Sequence, residues 1–310
     1  MRKTRSTSGK YYNGASRIRL KSQLCGFNGF EIGKIMTFRS KVKLGFSWVA
    51  DSLELFKQHP AKWMALSSLY LVFFQFLPIL LLGIIEQINQ AHGSIIILFF
   101  VGLLGLALTF SWPIFTSLVI GVCRETHAER VTPVSDVFHR VKPHVKQLVF
   151  LGVAFFIYRL IMIGLTENDI QALDIQQMDK EVMPIGFWWL MLKLLVLQVP
   201  LLLATWYSPL LISYHQYSVF KSIGHSVWAA LHNITALITA WVTLTLAVVG
   251  VMLVLGLVIG LIAIFAKGLA AFLGMLLIMF VSLMATAFLF SIQYFSFLSM
   301  YYKKGEDFVS

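Results

Sequence analysis

Charged side chains are scarce in this chain of 310 residues. They make up 13% of it, whereas roughly 25% of the residues of a soluble domain are charged, and hydrophobic side chains make up 58%. This composition excludes an ordinary soluble domain. It predicts that lipid, rather than water, surrounds most of the chain.

Acidic residues are rarer than basic ones, with 14 Asp and Glu against 25 Lys and Arg. Twelve of the basic residues precede residue 61, and five more lie between residues 124 and 146, beside apolar segments. Basic residues collect in this way on the cytoplasmic side of membrane spans. We therefore interpret the net charge of +11 as a sign of topology and expect no nucleic-acid partner.

The sequence also lacks the motifs of catalysis and metal binding. It has no HExxH pattern, P-loop, dinucleotide GxGxxG or GxSxG nucleophile elbow. Its two cysteines, Cys25 and Cys123, have no metal-ligand spacing and both fall on the predicted cytoplasmic side, so we expect no disulfide. A group of histidines on that side could join Glu125 and Asp136 in a metal or acid-base site, although exposed or interfacial histidine is the better interpretation. These histidines are His59, His127, His139, His144, His215, His225 and His232. We expect no enzyme, no cofactor and no metal.

What the chain does contain is long apolar runs, each near or above the ~20 residues that a helix needs to cross a bilayer. They predict an all-α integral membrane protein with about six transmembrane helices. The runs are about Lys62 to Ile85, Ser94 to Val122, Lys146 to Leu165, Gly186 to Tyr214, Ile234 to Ala266 and Leu269 to Tyr301.

The charges between these runs predict the orientation. The segment from Thr166 to Ile185 holds five acids and one lysine, so it faces outward, whereas residues 124–146 are basic and face inward. Both termini are then cytoplasmic. One alternative stays open, because residues 234–301 are broken by Lys267-Gly268 alone and have room for three tight spans.

Spans one, three and five are each preceded by a less apolar stretch with helical periodicity. Such helices fit the plane of the cytoplasmic headgroups, or they pack under the bundle. Their apolar stripes are Phe46, Val49, Leu53 and Phe56; Val134, Val137, Val141, Val145 and Leu148; and Phe220, Ile223, Val227 and Leu231.

These stretches indicate an internal repeat. At an offset of 85 residues, Asp51, Lys57 and His59 correspond to Asp136, Lys142 and His144. At a further offset of 88 residues, His144 corresponds to His232. Late in the second spans stand Ser111-Trp112-Pro113, Tyr207-Ser208-Pro209 and Ser291-Ile292-Gln293. The proposed unit is one interfacial helix plus two spans, repeated three times in parallel about an axis along the membrane normal. Chance similarity between amphipathic segments is the alternative.

Charge inside a membrane points to function, and the spans contain two charged residues, Arg159 and Lys193. Both lie about six or seven residues from the outer end of their span, so we expect them at similar depth. One interpretation makes them an anion-attracting pair or partners of Glu167 and Asp169. The other is that their long stems reach the outer headgroups. No Asp or Glu lies within a span, which argues against a proton- or sodium-coupled transporter.

Prolines interrupt several spans. Pro113, Pro200 and Pro209 are candidate helix breaks, at which freed carbonyls can bind an ion or substrate, and Gln198 is a polar candidate beside them. More often a proline kinks a helix and its neighbours repair the lost bond. Gly250, Gly256 and Gly260 predict a face for close helix packing.

The predicted membrane domain covers residues 36–302, followed by a cytoplasmic tail of residues 303–310. Residues 1–35 are basic and rich in Ser, Gly and Tyr, and they contain no apolar run of signal-peptide length. We expect them to be disordered. Met36, which opens an amphipathic helix, is an alternative start.

Several segments resemble a known family. GFSWVADSLELFKQHPAKW, SWPIFTSLVIGVCRE, VSDVFHRVKPHVKQLVFLG and YSPLLISYHQYSVFKSIGHSVWAALHNITAL are similar to a proteobacterial family of multi-pass inner-membrane proteins of unknown function. The resemblance covers about residues 44–305. The chain is also distantly similar to the membrane domains of glycerophosphodiester phosphodiesterases. It implies a bacterial inner-membrane location and the six-span topology, and it carries over no site.

The leading functional hypothesis is a non-enzymatic scaffold, assembly factor or lipid-interacting component. Its partners would be membrane lipids, with other membrane proteins or a second copy of the chain as further partners. A permease or channel for an apolar or anionic solute, with Arg159 and Lys193 near its outer mouth, is the alternative.

Overall fold

The computed structural model describes residues 37–90, 95–130, 132–172 and 185–302. The expected basic extension of residues 1–35 and the expected tail of residues 303–310 lie outside these residues. So do residues 173–184, which contain most of the acidic loop.

The regular elements in the described ranges are helices, and six helical segments are long and apolar enough to cross a membrane. The prediction of an all-α membrane protein with six spans is therefore confirmed. The helices are α1 (Phe38–Gln58), α2 (Pro60–Leu71), a π-helical turn (Val72–Phe76), α3 (Leu77–Gln90), α4 (Ile95–His127), α5 (Val134–Val141), a 3₁₀ turn (Lys142–His144), α6 (Val145–Ala172), α7 (Ile185–His215), α8 (Val219–His232), α9 (Ile234–Phe265) and α10 (Lys267–Tyr301).

Local sequence explains where several of these helices begin and end. The Thr37 side chain caps α1 by accepting a hydrogen bond from the Ser40 backbone N–H. Proline at the first position of α2 suits a helix start, since its missing N–H would be unpaired there. Ala266, whose backbone is not helical (φ −146°, ψ 79°), separates α9 from α10. Residues 234–301 thus form two spans, and the three-span alternative is wrong.

The order of elements is a short helix followed by two spans, three times over. Since each pair of spans returns the chain to the same side, α1, α5 and α8 lie at one end of the bundle, here called the basic end; the opposite end is the far end. The second spans of the three units, α4, α7 and α10, contact one another. Each short helix packs on the second span of the preceding unit: α5 on α4, α8 on α7 and α1 on α10. This cyclic order of contacts is what three parallel repeats predict.

Close approach of backbones joins the units. A Cβ on Gly45 would stand 2.4 Å from the Ala236 carbonyl oxygen, so α1 lies directly against α9. A Cβ on Gly152 would meet the Phe110 backbone at 2.9 Å, where α6 crosses α4. By contrast, Gly256 and Gly260 have nothing within 4 Å of a Cβ, so the predicted small-residue face of α9 packs against no described part of the chain.

Candidate functional site

An open cavity of about 570 Å³ lies inside the bundle, between the first span and helices α4, α6 and α7. Its walls are mostly aromatic and aliphatic side chains, including Phe74, Phe155 and Phe156. The volume falls within the ~300–1,000 Å³ typical of small-molecule sites. Two of the residues singled out from the sequence, Arg159 and Gln198, line this cavity.

Helix irregularities and missing side chains make the space. The first span changes to π-helical geometry over Val72–Phe76, two to six residues before Pro78, and both Phe74 and Pro78 line the cavity. On α4, Gly102 and Gly105 form part of the wall, and a Cβ on either would have nothing within 4 Å. The cavity therefore forms where the first span has a π-helical turn and where α4 has glycines in place of larger residues.

Arg159 stands half-way along α6, and Gln198 lies at a similar level on α7. The Tyr158 hydroxyl donates to the Leu197 carbonyl at 2.8 Å, which sets the register of the two helices at this point. Arg159 and Gln198 are both exposed in the isolated chain. Within the described ranges, neither side chain has an ion-pair or hydrogen-bond partner.

The other polar groups of the cavity are largely engaged. The Thr109 hydroxyl donates to the Gly105 carbonyl, and the Thr205 hydroxyl donates to the Leu202 carbonyl, both at 3.0 Å. The Tyr70 hydroxyl lies near the Trp112 side chain and near the Arg159 guanidinium. The donors of Arg159 and Gln198 are thus the ones available to a ligand.

Lys193 has a different environment from Arg159. Its ammonium group lies 2.5 Å from an Asp169 carboxylate oxygen and donates to the Leu165 carbonyl at 2.7 Å. These partners place it at the level of Leu165, six residues beyond Arg159, which is about 9 Å along a helix. The Lys193 ammonium thus reaches toward the end of α6, which continues to Ala172, beyond the end predicted from hydropathy. For Lys193, the predicted interpretation as a partner of Asp169 is the one that the structure shows.

The prolines do not interrupt their helices. Pro113 lies inside a continuous α4, and Pro200 and Pro209 lie inside a continuous α7. Near Pro209, however, the Ser226 hydroxyl of α8 enters α7: it accepts from the Tyr207 N–H at 3.0 Å and donates to the Leu203 carbonyl at 2.7 Å. It thereby bridges two backbone groups that stand one turn apart on α7.

One residue farther back, the Gln293 side chain of α10 donates to the Trp206 carbonyl. This part of α7 is therefore bound by neighbouring helices and is not offered to a ligand. We call the set Leu203, Trp206, Tyr207, Ser226 and Gln293 the α7 junction. The Tyr207 hydroxyl itself has no hydrogen-bond partner among the described residues.

The short helices α1 and α8 bury a face other than the predicted one. On α1 the buried residues are Gly45, Trp48, Ser52 and Leu55, whereas Phe46 and Leu53 of the predicted stripe are 53% and 42% exposed. On α8 the buried residues include Ser222, Ser226 and Ala229, whereas Phe220 and Leu231 are exposed. Each helix packs on the bundle with one face, as the second alternative predicts, and shows bulky apolar side chains on another. A position in the plane of the headgroups stays a prediction. On α5, Val137 and Val141 are buried as predicted.

The exposed face of α1 forms a single row along the helix. Its members are spaced by three or four residues: Arg39, Lys43, Phe46, Ala50, Leu53 and Lys57. Basic side chains stand at both ends of the row, and apolar ones stand in the middle. We call it the α1 row.

Two residues of the basic end, His127 and Glu125, are engaged with nearby groups, whereas the buried Nε2 of His215 has no hydrogen-bond partner among the described residues. His127 Nδ1 lies 2.9 Å from the Tyr294 hydroxyl. Glu125, almost fully buried, pairs with Arg140 at 2.5 Å and accepts from the Thr132 hydroxyl at 2.8 Å. In the part of the chain that the structure describes, no three His, Cys, Asp or Glu side chains are arranged to hold a metal ion.

The sequence alone identifies only part of the cavity and of the α7 junction. Trp112 and Gln293 belong to the repeated triplets, but no sequence pattern marks Tyr70, Gly105 or Ser226. Pro78, which interrupts the first span, was the available pointer to the π-helical turn beside the cavity.

No protein-family model, curated protein or solved structure matches this chain. The resemblance to a proteobacterial membrane-protein family stays a prediction.

Proposed function

We propose that this protein is a non-enzymatic, lipid-interacting component of the bacterial inner membrane, with its basic end and both termini in the cytoplasm. The observation that carries the proposal is the α1 row, in which Phe46 and Leu53 are exposed between basic residues. A helix of this kind rests in the interface between headgroups and acyl chains, with its basic side chains reaching anionic headgroups.

The rest of the basic end supports the same role. Helix α8 adds exposed Phe220, Trp228 and Leu231, and α5 adds exposed Val134 and Phe138. Each of these helices is tied to the bundle; for example, the Lys41 ammonium of α1 donates to the His232 carbonyl at the end of α8, at 2.6 Å. The exposed apolar groups are thus held at fixed positions around the bundle, where a leaflet would meet them.

The experiment measures the lipids next to the protein. In reconstituted vesicles, the association of spin-labelled phosphatidylglycerol relative to phosphatidylcholine is determined by electron paramagnetic resonance. We expect a preference for the anionic lipid that falls toward one in the triple variant Arg39→Gln, Lys43→Gln, Lys57→Gln, since each basic residue near a surface contributes ~1 kcal/mol.

The matched control is Lys193→Gln with Lys267→Gln, which removes basic residues of the far end. It should leave the preference intact. An unchanged preference in the triple variant would contradict the proposal. The orientation is tested separately with a reporter fused after Asp307, and activity of a periplasm-specific reporter at that position would contradict the cytoplasmic assignment.

A permease for an apolar or anionic solute is a second candidate function, favoured by the open cavity beside Arg159. Arg159 rather than Lys193 would carry it, because Lys193 is paired with Asp169. Uptake of labelled medium-chain carboxylates into proteoliposomes tests it: transport that exceeds that of protein-free liposomes and is lost in Arg159→Leu would support a permease. Uptake equal to the liposome background would exclude it for these solutes.

A further inference from the structure

We propose that the cavity between the first span and helices α4, α6 and α7 binds an amphiphile with one acyl chain and an oxyanion head, held by Arg159 and Gln198. This inference deepens the proposed function, because it names a class of lipid. It uses residues that are separate from the α1 row.

The head is assigned from the charge of the site. A cation half-way along a membrane span is costly unless it is paired or solvated. Arg159 has no such partner among the described residues, whereas Lys193, two turns away, has one. An anion entering from the membrane would therefore neutralise the Arg159 charge. It would bind more tightly there than at Lys193, whose charge Asp169 already neutralises.

The geometry of the donors narrows the anion to a carboxylate or phosphate. A guanidinium presents two parallel N–H groups that match two oxygens of either head. The Gln198 amide, at the same level on the facing helix, can donate to an oxygen of the same group. The shared chemistry is an oxyanion with at least two exposed oxygens.

The tail is assigned from the walls. Apart from the few polar groups described above, the cavity is lined by aromatic and aliphatic side chains. Its volume of about 570 Å³ suits a molecule of drug size rather than a lipid with two chains. A small hydrophilic anion would leave these apolar walls unfilled.

Binding of tritium-labelled palmitate to the full-length protein in phosphatidylcholine nanodiscs tests the proposal, with empty nanodiscs as the background. We expect saturable binding that unlabelled palmitate and palmitoyl lysophosphatidate displace. Methyl palmitate, acetate and inorganic phosphate should not displace it. The stronger of the two effective competitors identifies whether the natural head is a carboxylate or a phosphate.

Two kinds of variant separate the head from the tail. Arg159→Leu should weaken binding at least about tenfold, as expected for loss of a charge-assisted hydrogen bond. Arg159→Lys keeps the charge without the fork and should be intermediate. Gly105→Leu places a side chain in the cavity and should weaken binding without changing any charge. The matched controls are Lys193→Leu, a cation outside the cavity, and Gly250→Leu, an equally open glycine on α9. Both should bind within about twofold of the unchanged protein.

Helix content and gel filtration check that each variant is folded. If Arg159→Leu does not fold, Arg159→Lys and Gly105→Leu carry the test. Non-saturable binding, equal displacement by methyl palmitate, or unchanged affinity in both Arg159 variants would overturn the proposal. The triple variant of the α1 row should bind palmitate normally, so loss of anionic-lipid preference and loss of palmitate binding report separate failures.

Discussion

The α7 junction and the cavity are two polar places in an apolar bundle, and they differ in how their polar groups are satisfied. At the junction, the Ser226 hydroxyl and the Gln293 amide both form hydrogen bonds with backbone groups of α7. In the cavity, Arg159 and Gln198 have no partner among the described residues. Both places lie near span prolines, so proline alone does not distinguish them.

This difference separates a structural role from a binding role. A buried hydrogen bond between helices stabilises one packing of the bundle, because breaking it leaves an unpaired polar group. An unpaired donor beside empty space contributes nothing to packing and is available to a ligand. The comparison predicts that equivalent substitutions have opposite consequences in the two places.

The largest expected contrast is between two substitutions that add the same side chain. Ser226→Leu would remove the inserted hydroxyl and force a larger side chain between α7 and α8, lowering the stability of the folded protein by about 2–4 kcal/mol. Gly105→Leu would enter open space and leave stability nearly unchanged. Unfolding by SDS in mixed micelles measures both. Equal losses would mean that the cavity is as tightly packed as the junction.

A smaller contrast is expected between two glutamines. Gln293→Leu should cost about 1 kcal/mol, since it removes the hydrogen bond to the Trp206 carbonyl and hydrogen bonds between membrane helices are modest. Gln198→Leu should be neutral or slightly stabilising, because it removes a polar group without a partner in the described part of the chain. Unfolding by SDS in mixed micelles measures the stability of both variants. A larger loss for Gln198→Leu would show that its amide is engaged in the folded protein.

Replacing the two intramembrane cations should change stability by smaller amounts than the substitutions above, and in opposite directions. Lys193→Leu breaks an ion pair whose side chains are both 36% exposed, so it should lower stability by at most about 1 kcal/mol. Arg159→Leu removes an unpaired charge and should raise thermal stability or leave it unchanged. Differential scanning fluorimetry in detergent compares the two variants. The double variant that combines Lys193→Leu with Asp169→Leu checks that the Lys193 effect comes from the ion pair. A destabilised Arg159→Leu would indicate a partner for its guanidinium.

Asp51 of α1 provides the smallest test. Its carboxylate is partly buried and has no ion-pair partner among the described residues. Burial, with the neighbouring Glu54 as a second cause, raises the pKa of Asp51 from 3.8 to about 6. The folded state then keeps a proton that the unfolded state releases, so this residue's contribution to stability is full below pH 3.8 and is lost as the pH rises through about 6. Asp51→Asn should flatten the pH dependence of the melting temperature between pH 4 and pH 7, whereas the control Glu54→Gln should reduce it less. An unchanged profile in Asp51→Asn would contradict this assignment.

Hydropathy and charge predicted the coarse architecture well. Six runs became six spans with ends mostly within a few residues of those predicted, because length and apolarity alone decide whether a helix can cross a bilayer. One boundary differed in a way that matters. The helix α6 passes through Glu167 and Asp169, because charged residues at a helix end lower hydropathy without ending the helix. The pairing of Lys193 with Asp169, which the structure shows, was nevertheless one of the two interpretations of the sequence.

The faces of the short helices were harder to predict. On α1 and α8, the bulky stripes drew attention because the largest apolar side chains usually mark the buried face. In a membrane that rule weakens, since lipid is as good a solvent for Phe46 or Phe220 as the protein interior is. Small residues such as Gly45 and Ser226 allow the closest approach between helices and therefore face the bundle.

By itself, the sequence determined that this chain is a helical membrane protein with three units of a short helix and two spans, because these features depend on local composition and period. The tertiary structure alone decided which polar residues are satisfied. Arg159 and Lys193 look alike in the sequence, and Gln198 resembles Gln293. Whether each has a partner depends on which helix lies opposite, on the register between helices, and on the space that Gly102 and Gly105 leave open.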